Sequence, residues 1–563
     1  MNEPKVNRRE FLHRSSAAFL GSSLAFRSNS PSQAAESTQK PNVILILTDD
    51  QGFGDVGVNG NDKIRTPNMD RLSREGVTLS QFYVCPVCAP TRACLMTGRY
   101  NYRTGVTDTW LGRAMMHPGE TTMAEIFQAS GYRTGIFGKW HLGDNYPMRP
   151  NDQGFQTSLV HKGGGIGQPA DPPGNMYHDP ILFQDGKPAK ARGYCTDVFT
   201  DAAIRFIGQN KDQPYFAYLS TNAPHTPLQI DDKYVQPYLD MGLDETTAKV
   251  YGMIENIDDN IGRLLSKLRE LHQEDNTIVI FMTDNGPQQP RYVAGLRGRK
   301  GSVYEGGVRV PCFIRWPQRF QADKSIDRIA SHLDVLPTLI NLCGLKKPDE
   351  VHMDGVDLTP LLTGAAQEWP DRTLFFQWHR GNEPEKYRDC AARSQRYKLV
   401  NGRELYDIEH DPFEKSDIAS DHPDIVQQMR AQYEAWFRDV SSTRGYVPPR
   451  IYIGTPHENP VTLTRQDWRD ATANWNRHSI GHWEVDVRQA GEYDVQIRYY
   501  PPYKDATAFF KWKDVTLSTP IKANSESCNF KKIRLPSGEG KLEAWIEGDD
   551  HSSGVRYVDV TYL

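Results

Sequence analysis

Three stretches of the chain are apolar almost without interruption: Asn42 to Thr48, Tyr215 to Ser220 and Thr277 to Thr283. Short runs that lack alternation predict strands buried on both faces, as in the middle of a parallel sheet. Tyr132 to Phe137 reads as a further strand. From Thr246 to Leu271 the apolar positions Val250, Ile254, Ile257, Ile261, Leu264, Leu265, Leu268 and Leu271 keep helical spacing. Thr66-Pro67-Asn68 reads as a capped helix start with proline in the first turn, and Ala93 to Thr97 begins another helix. Strands alternating with helices predict a largely parallel sheet covered on both faces. From Arg450 the pattern changes to period two: Tyr493, Val495, Ile497 and Tyr499 alternate with polar residues, as do Val558, Val560 and Tyr562. That predicts an antiparallel β-sandwich, reached through a proline-containing linker over Tyr446 to Pro460. Trp468, Trp475 and Trp483 are read first as core residues, with stacking on sugar as the alternative.

The polar residues at the strand ends are the informative ones. The four strands run into Asp49-Asp50, Lys139 and His141, His225, and Asp284-Asn285. Ligands of open α/β sheets bind beyond the carboxyl ends of strands, so one site collecting all four ends is the economical reading. Adjacent carboxylates just past a buried strand are costly without a positive partner, and their oxygens suit a hard cation, Ca²⁺ or Mg²⁺. Between the first and second of these strands lies Cys85-Pro-Val-Cys88-Ala-Pro-Thr-Arg92-Ala-Cys94-Leu-Met-Thr-Gly-Arg99. Taken alone, Cys85 and Cys88 at this spacing fit a redox pair or half a zinc site equally well.

The segment Cys88-Ala89-Pro90-Thr91-Arg92 followed by Leu95-Met96-Thr97-Gly98-Arg99 resembles the signature of type I, arylsulfatase-like sulfatases. Thr91 stands where that family more often has serine. Further blocks resemble the same family: Gly298 to Pro311, His332 to Thr338, Arg393 to Lys398, and Leu405-Tyr406-Asp407 with Asp411-Pro412. The resemblance spans about residues 41 to 440. It implies an alkaline-phosphatase-like α/β sandwich with a central, mostly parallel sheet (residues 41–375) and a small C-terminal α+β subdomain (376–445). The all-β sandwich (450–563) is an addition to that plan, of a kind that often binds carbohydrate or braces a catalytic domain.

The resemblance also implies a chemistry. Cys88 is oxidised to formylglycine by a formylglycine-generating enzyme, and the hydrated aldehyde attacks the sulfur of a sulfate ester. Asp49, Asp50, Asp284 and Asn285 ligate one divalent cation, Ca²⁺ or Mg²⁺, with residue 88 completing the shell. Arg92 fixes the diol, Lys139 and Lys300 clamp the sulfate, His141 takes the diol proton, and His225 contacts the sulfate or protonates the leaving oxygen. His379 and Arg380 are weaker candidates for contacts to sugar hydroxyls or a second anionic group, because the loops from Gly163 to Asp185 and around Trp378 are read as the pocket mouth.

Composition narrows the setting. At 563 residues, 38% hydrophobic and 24% charged, the chain is globular, and its net charge of −5 without a long basic run argues against a nucleic-acid partner. Eight cysteines do not make a disulfide framework, and no apolar run reaches the ~20 residues of a membrane span. Asn7-Arg8-Arg9-Glu10-Phe11-Leu12, an apolar Ala17 to Phe26 and the small pair Ala34-Ala35 resemble a twin-arginine export signal over residues 1–35. The expectation is export to a bacterial periplasm or beyond by the twin-arginine machinery, with a sulfated carbohydrate as substrate. Rival readings are a formylglycine-dependent phosphonate or phosphodiester hydrolase of the same fold, a two-zinc alkaline phosphatase, and a non-catalytic glycan-binding protein.

Overall fold

The computed structural model describes residues 40–366, 368–548 and 552–563. The expected export signal over 1–35 lies outside them. Among the described residues the largest sheet has ten strands. At its centre, Thr277–Thr283, Asn42–Thr48, Tyr215–Ser220, Arg133–Lys139 and Thr157–His161 lie side by side in that order, all parallel. Leu45 stands between Ile280 and Tyr218. Cys312–Arg315 closes one side antiparallel to Thr277–Thr283, and Ile181–Gln184 does the same beyond Thr157–His161.

The uninterrupted apolar run of the first strand is explained by two cores. Val43, Leu45 and Leu47 face the helices Cys88–Thr97, Met123–Ala129 and Val335–Cys343. Ile44 and Ile46 face Pro67–Glu75, Cys195–Gln209 and Glu245–Glu270. Successive side chains of a strand point to opposite faces, so a sheet covered on both sides needs an apolar residue at every position. The helix starting at Pro67 is not capped by Thr66, whose side chain makes no such bond. Instead the Asp258 carboxylate, from the Glu245–Glu270 helix, accepts from the N–H groups of Asn68 and Met69 at 3.0 and 2.8 Å.

Three sequence expectations need correction. The helix expected to begin at Ala93 begins at Cys88 and runs to Thr97; Pro90 is tolerated because first-turn N–H groups have no intrahelical partner to lose. The strand read as Tyr132 to Phe137 is Arg133–Lys139, so Lys139 is its last residue. The linker expected over Tyr446 to Pro460 contains a strand, Ile451–Ile453, paired parallel with His482–Val487. Its Ile451 and Ile453 side chains are buried in the sandwich core, which a solvated linker would not allow.

After the large sheet come an antiparallel sheet of Leu374–Gln377, Cys390–Arg393, Tyr397–Val400 and Glu404–Asp407, and a helix, Pro423–Ser442, against it. Two sheets, antiparallel except for the Ile451–Ile453 pairing, then form the sandwich, whose core includes Tyr493, Val495, Ile497, Val558 and Val560 as the alternation predicts. Trp468 and Trp483 belong to that core and are fully buried. The sandwich is not a loosely tethered module: residues 40–563 form one compact unit, and Leu111, Met115 and Met148 of the preceding α/β body share its core. Gly112 lies with φ of +67°, where a Cβ would sit 2.8 Å from the Asp467 carbonyl oxygen, so only glycine fits this contact. No helix among the described residues is long and apolar enough to cross a membrane.

A buried charge cluster fastens the four-stranded sheet to the body. Lys398 is wholly buried, with Nζ 3.0 Å from Glu305 and 2.9 Å from Glu414. Lys398→Ala removes the cation that Glu414 faces and leaves Glu305 to the more distant Arg393 and Arg309, and we expect a loss of about 3–5 kcal/mol, read as a lowered urea midpoint with an unchanged slope.

Candidate active site

The four adjacent parallel strands deliver their ends to one place. Asp49 and Asp50 follow Asn42–Thr48, Lys139 ends Arg133–Lys139, and Asp284 and Asn285 follow Thr277–Thr283. His225 lies five residues beyond Ser220. Asp50 and His141 are held at φ of +67° and +61°, a region that non-glycine residues occupy at a cost of order 1 kcal/mol. Asp and His are among the residue types that tolerate it best.

Three carboxylates and three cations meet here in pairs. Asp49 Oδ2 is 2.6 Å from Lys139 Nζ, Asp50 Oδ1 is 2.6 Å from Lys300 Nζ, and Asp284 Oδ2 is 2.7 Å from Arg92 Nη2. Arg92 also donates from Nη1 to Ser220 Oγ at 2.5 Å and to the Lys139 carbonyl at 3.1 Å. Asn285 Nδ2 donates to Asp50 Oδ1 at 2.8 Å. Burial alone would raise the Asp50 pKa, but the Lys300 and His225 charges outweigh it and hold the carboxyl below its ordinary range. Burial and the charge of Asp49 push Asp284 up to about 7.

Cys88 is the first residue of its helix and faces His141, with Sγ 3.5 Å from Nδ1. The other ring nitrogen, Nε2, lies 2.7 Å from the Thr109 carbonyl oxygen. A carbonyl only accepts, so Nε2 carries the proton and Nδ1 presents its lone pair to residue 88. Burial pushes the Cys88 thiol above its ordinary pKa, which leaves it a poor nucleophile as a cysteine. Burial, with the Lys300 charge, lowers His225 to about 3, and burial, with Lys139, holds His141 well below its ordinary value. Cys85 turns elsewhere: its Sγ is 3.8 Å from Cys94 Sγ and 3.4 Å from His332 Nε2. The redox-pair and half-zinc readings of Cys85 with Cys88 find no support in this arrangement.

The donor set fits a hard cation. Asp49 Oδ1, Asp50 Oδ2 and Asn285 Oδ1 are buried without a hydrogen-bond partner, an arrangement that costs energy unless something positive is coordinated there. Ligand atoms of Asp49, Cys88 and Asp284 lie within 4.8 Å of one another, and so do those of Asp49, Asp50 and His225. Carboxylate and amide oxygens suit Ca²⁺ or Mg²⁺.

Above these groups opens a cavity of about 570 Å³, lined by Cys88, His141, His225 and Lys300 at its base. The family model for sulfatases matches residues 41–345, and the model for the C-terminal part of N-sulphoglucosamine sulphohydrolase matches residues 299–439. The chain belongs to the sulfatase family. Human arylsulfatase A is 32% identical over 69% of this chain and 81% of its own. Mouse N-acetylgalactosamine-6-sulfatase is 31% identical over 62% of this chain and 70% of its own. Among solved structures, Ps i-CgsB in complex with k-i-k-neocarrahexaose is 31% identical, covers 72% of this chain and 95% of its own, and superposes with a TM-score of 0.66. This sulfatase is therefore a sulfuric ester hydrolase on the alkaline-phosphatase-like fold.

The two weaker candidates part company. Arg380 lines the cavity, whereas His379 is buried and its ring is spent on its own loop. There Nε2 accepts from the Glu385 N–H at 2.8 Å and Nδ1 lies 3.1 Å from the Arg380 carbonyl. The pocket-mouth loops contribute Gly164, Gln168 and Trp378 to the wall, while sequence reading missed Thr109, Trp110 and Gln288. They sit in loops without a periodic pattern. It also missed Ser220, which anchors Arg92; its place as the last residue of a buried strand was the available signal.

Proposed function

We propose that this sulfatase removes sulfate from a sulfated saccharide, using formylglycine made from Cys88 and one divalent cation, Ca²⁺, held by Asp49, Asp50, Asp284 and Asn285. The observation that carries this reading is the approach of Cys88 to the His141 Nδ1 lone pair beside three unpartnered buried oxygens. The bound cation lowers the pKa of a hydroxyl and offsets charge on the ester. The rest falls to the chain itself.

Residue 88 opens a ten-residue helix, whose free N–H groups favour an anion at that end. Hydrated formylglycine would attack sulfur through one hydroxyl while the bond to the alcohol oxygen breaks on the opposite side, the hydroxyl proton ending on the departing oxygen, and the neutral His225 ring would contact the sulfate. Lys139 and Lys300 hold the sulfate oxygens, preorganised charge being the largest usual contribution to such a step. Arg92, fixed by Asp284 and Ser220, steadies the diol. His141 Nδ1 takes the proton of the remaining hydroxyl, the aldehyde re-forms, and sulfate is expelled. Serine at this position would lack the second hydroxyl and trap the sulfate.

An oligosaccharide substrate is supported by the neocarrahexaose bound to Ps i-CgsB and by a cavity of about 570 Å³. Residues 41–375 and 376–445 serve as catalytic domain and subdomain, and 450–563 as the accessory sandwich. A formylglycine-generating enzyme modifies residue 88, and residues 1–35 direct export through the twin-arginine machinery to the periplasm or beyond.

Protein co-expressed with a formylglycine-generating enzyme should release sulfate from 4-nitrophenyl sulfate and from at least one sulfated oligosaccharide, with k-i-k-neocarrahexaose in the panel. Faster turnover of bis(4-nitrophenyl) phosphate would instead favour the phosphodiesterase alternative. Cys88→Ser is expected to stop after one turnover with a sulfated peptide detectable by mass spectrometry; continued turnover defeats the aldehyde mechanism. Free Ca²⁺ at 100 times its Kd should stabilise the protein by about 2.7 kcal/mol, measured by denaturant titration. Asp49→Asn should abolish that gain.

A further inference from the structure

The upper wall of the catalytic cavity is aromatic, and part of it comes from the sandwich. Trp110 and Trp378 of the catalytic body and Trp475 of the sandwich all line the same cavity as Cys88. All three indoles are half-buried, unlike Trp468 and Trp483, which the sandwich core consumes. Trp475 meets Trp110 edge to face, with centroids 5.1 Å apart and planes at 89°. The Arg380 guanidinium lies 4.8 Å from the Trp110 ring centre and 5.4 Å from that of Trp378.

These side chains are held rather than free. Trp475 Nε1 donates to the Arg465 carbonyl at 3.2 Å. Trp378 Nε1 donates to Asp108 Oδ1 at 3.0 Å, and Arg380 Nη1 donates to both oxygens of the same fully buried Asp108 at 3.2 Å. The sandwich is locked to this wall as well: Gln466 Nε2 donates to the Thr109 carbonyl at 3.0 Å, and the Gly112 N–H donates to the Gln466 carbonyl at 2.9 Å. Fixed indoles with ring surface left uncovered, beside a guanidinium, make a surface for a flat, partly apolar, hydroxylated ring. A sulfate group alone, seated between the lysines at the base, has no use for them.

We propose that Trp475, with Trp110 and Trp378, forms a subsite for the pyranose ring next to the one that carries the scissile sulfate. The sandwich thereby sets substrate length as an integral wall of the active site. This rests on the saccharide reading above. The occupant is a neighbouring sugar of the same chain, because the aromatic wall and the catalytic groups share one continuous cavity within the roughly 300–1,000 Å³ of small-molecule sites.

The test compares kcat/KM on neocarrahexaose, neocarratetraose and neocarrabiose sulfates and on the matching monosaccharide sulfate with kcat/KM on 4-nitrophenyl sulfate. The wild-type enzyme should favour the oligosaccharides over the monosaccharide. In Trp475→Ala the ratio of oligosaccharide to aryl sulfate kcat/KM should fall roughly tenfold, as for loss of one aromatic contact, mainly through KM. Trp475→Phe should keep most of the ratio. Trp475→Leu, which retains apolar volume against Trp110 without a ring face, gives the same readout if the alanine variant does not fold. A ratio within twofold of wild type in both non-aromatic variants overturns the subsite while leaving the saccharide reading intact. Turnover of the aryl ester with none of any saccharide overturns both.

Discussion

The arrangement on which this molecule depends is a cluster of three buried carboxylates, paired with the buried Lys139 and Arg92 and the partly exposed Lys300, beyond the carboxyl ends of four adjacent strands. Burying these groups is tolerable only because each has an opposite partner within hydrogen-bonding distance. That balance also limits what the site accepts. An anion alone would leave the lysines to choose between it and their aspartates, and a divalent cation alone would add two uncompensated charges. On the proposed reading a cation and a sulfate ester would enter together, the carboxylate oxygens turning to the metal and the ammonium groups to the ester. The strained backbone at Asp50 and His141 belongs to the same cluster, where Asp50 meets Lys300 and His141 faces Cys88.

The accessory sandwich reaches this centre through one carbonyl oxygen. Thr109 accepts from His141 and from Gln466 together, so the ring that faces residue 88 and a side chain of the C-terminal sandwich share a partner. Neither matched family span reaches the residues beyond 439, yet the apolar core of the sandwich takes in Leu111, Met115 and Met148 from the catalytic body. An interface of this apolar kind resembles the inside of a domain more than a contact between mobile modules.

Much of this was legible in the chain beforehand because strand burial imposes a dense pattern. The runs from Asn42 and Thr277 could be nothing but doubly covered strands, and the polar residues following them marked the site. The helix around Cys88 was harder to place, since Pro90 looks like an obstacle to a start at Cys88 and is harmless only in a first turn. Ile451 to Ile453 was hidden among prolines, where three residues are too few to set a period. The wall residues Thr109 and Trp110 left no trace, and Trp475 was read first as core, because contacts between a loop near residue 110 and another near 475 depend on how the sandwich packs on the body. Trp475 could be told from Trp468 and Trp483 only by what covered it.

One feature of the Cys88 helix sets an order of events in the life of the protein. Every residue from Cys88 to Thr97 is buried, including Pro90 and Arg92, so the motif that would identify this cysteine to a modifying enzyme is out of reach once the sheet has closed over it. On the proposed chemistry, editing of residue 88 would take place on the nascent or unfolded chain. A molecule that folded first would keep a thiol at the base of its cavity.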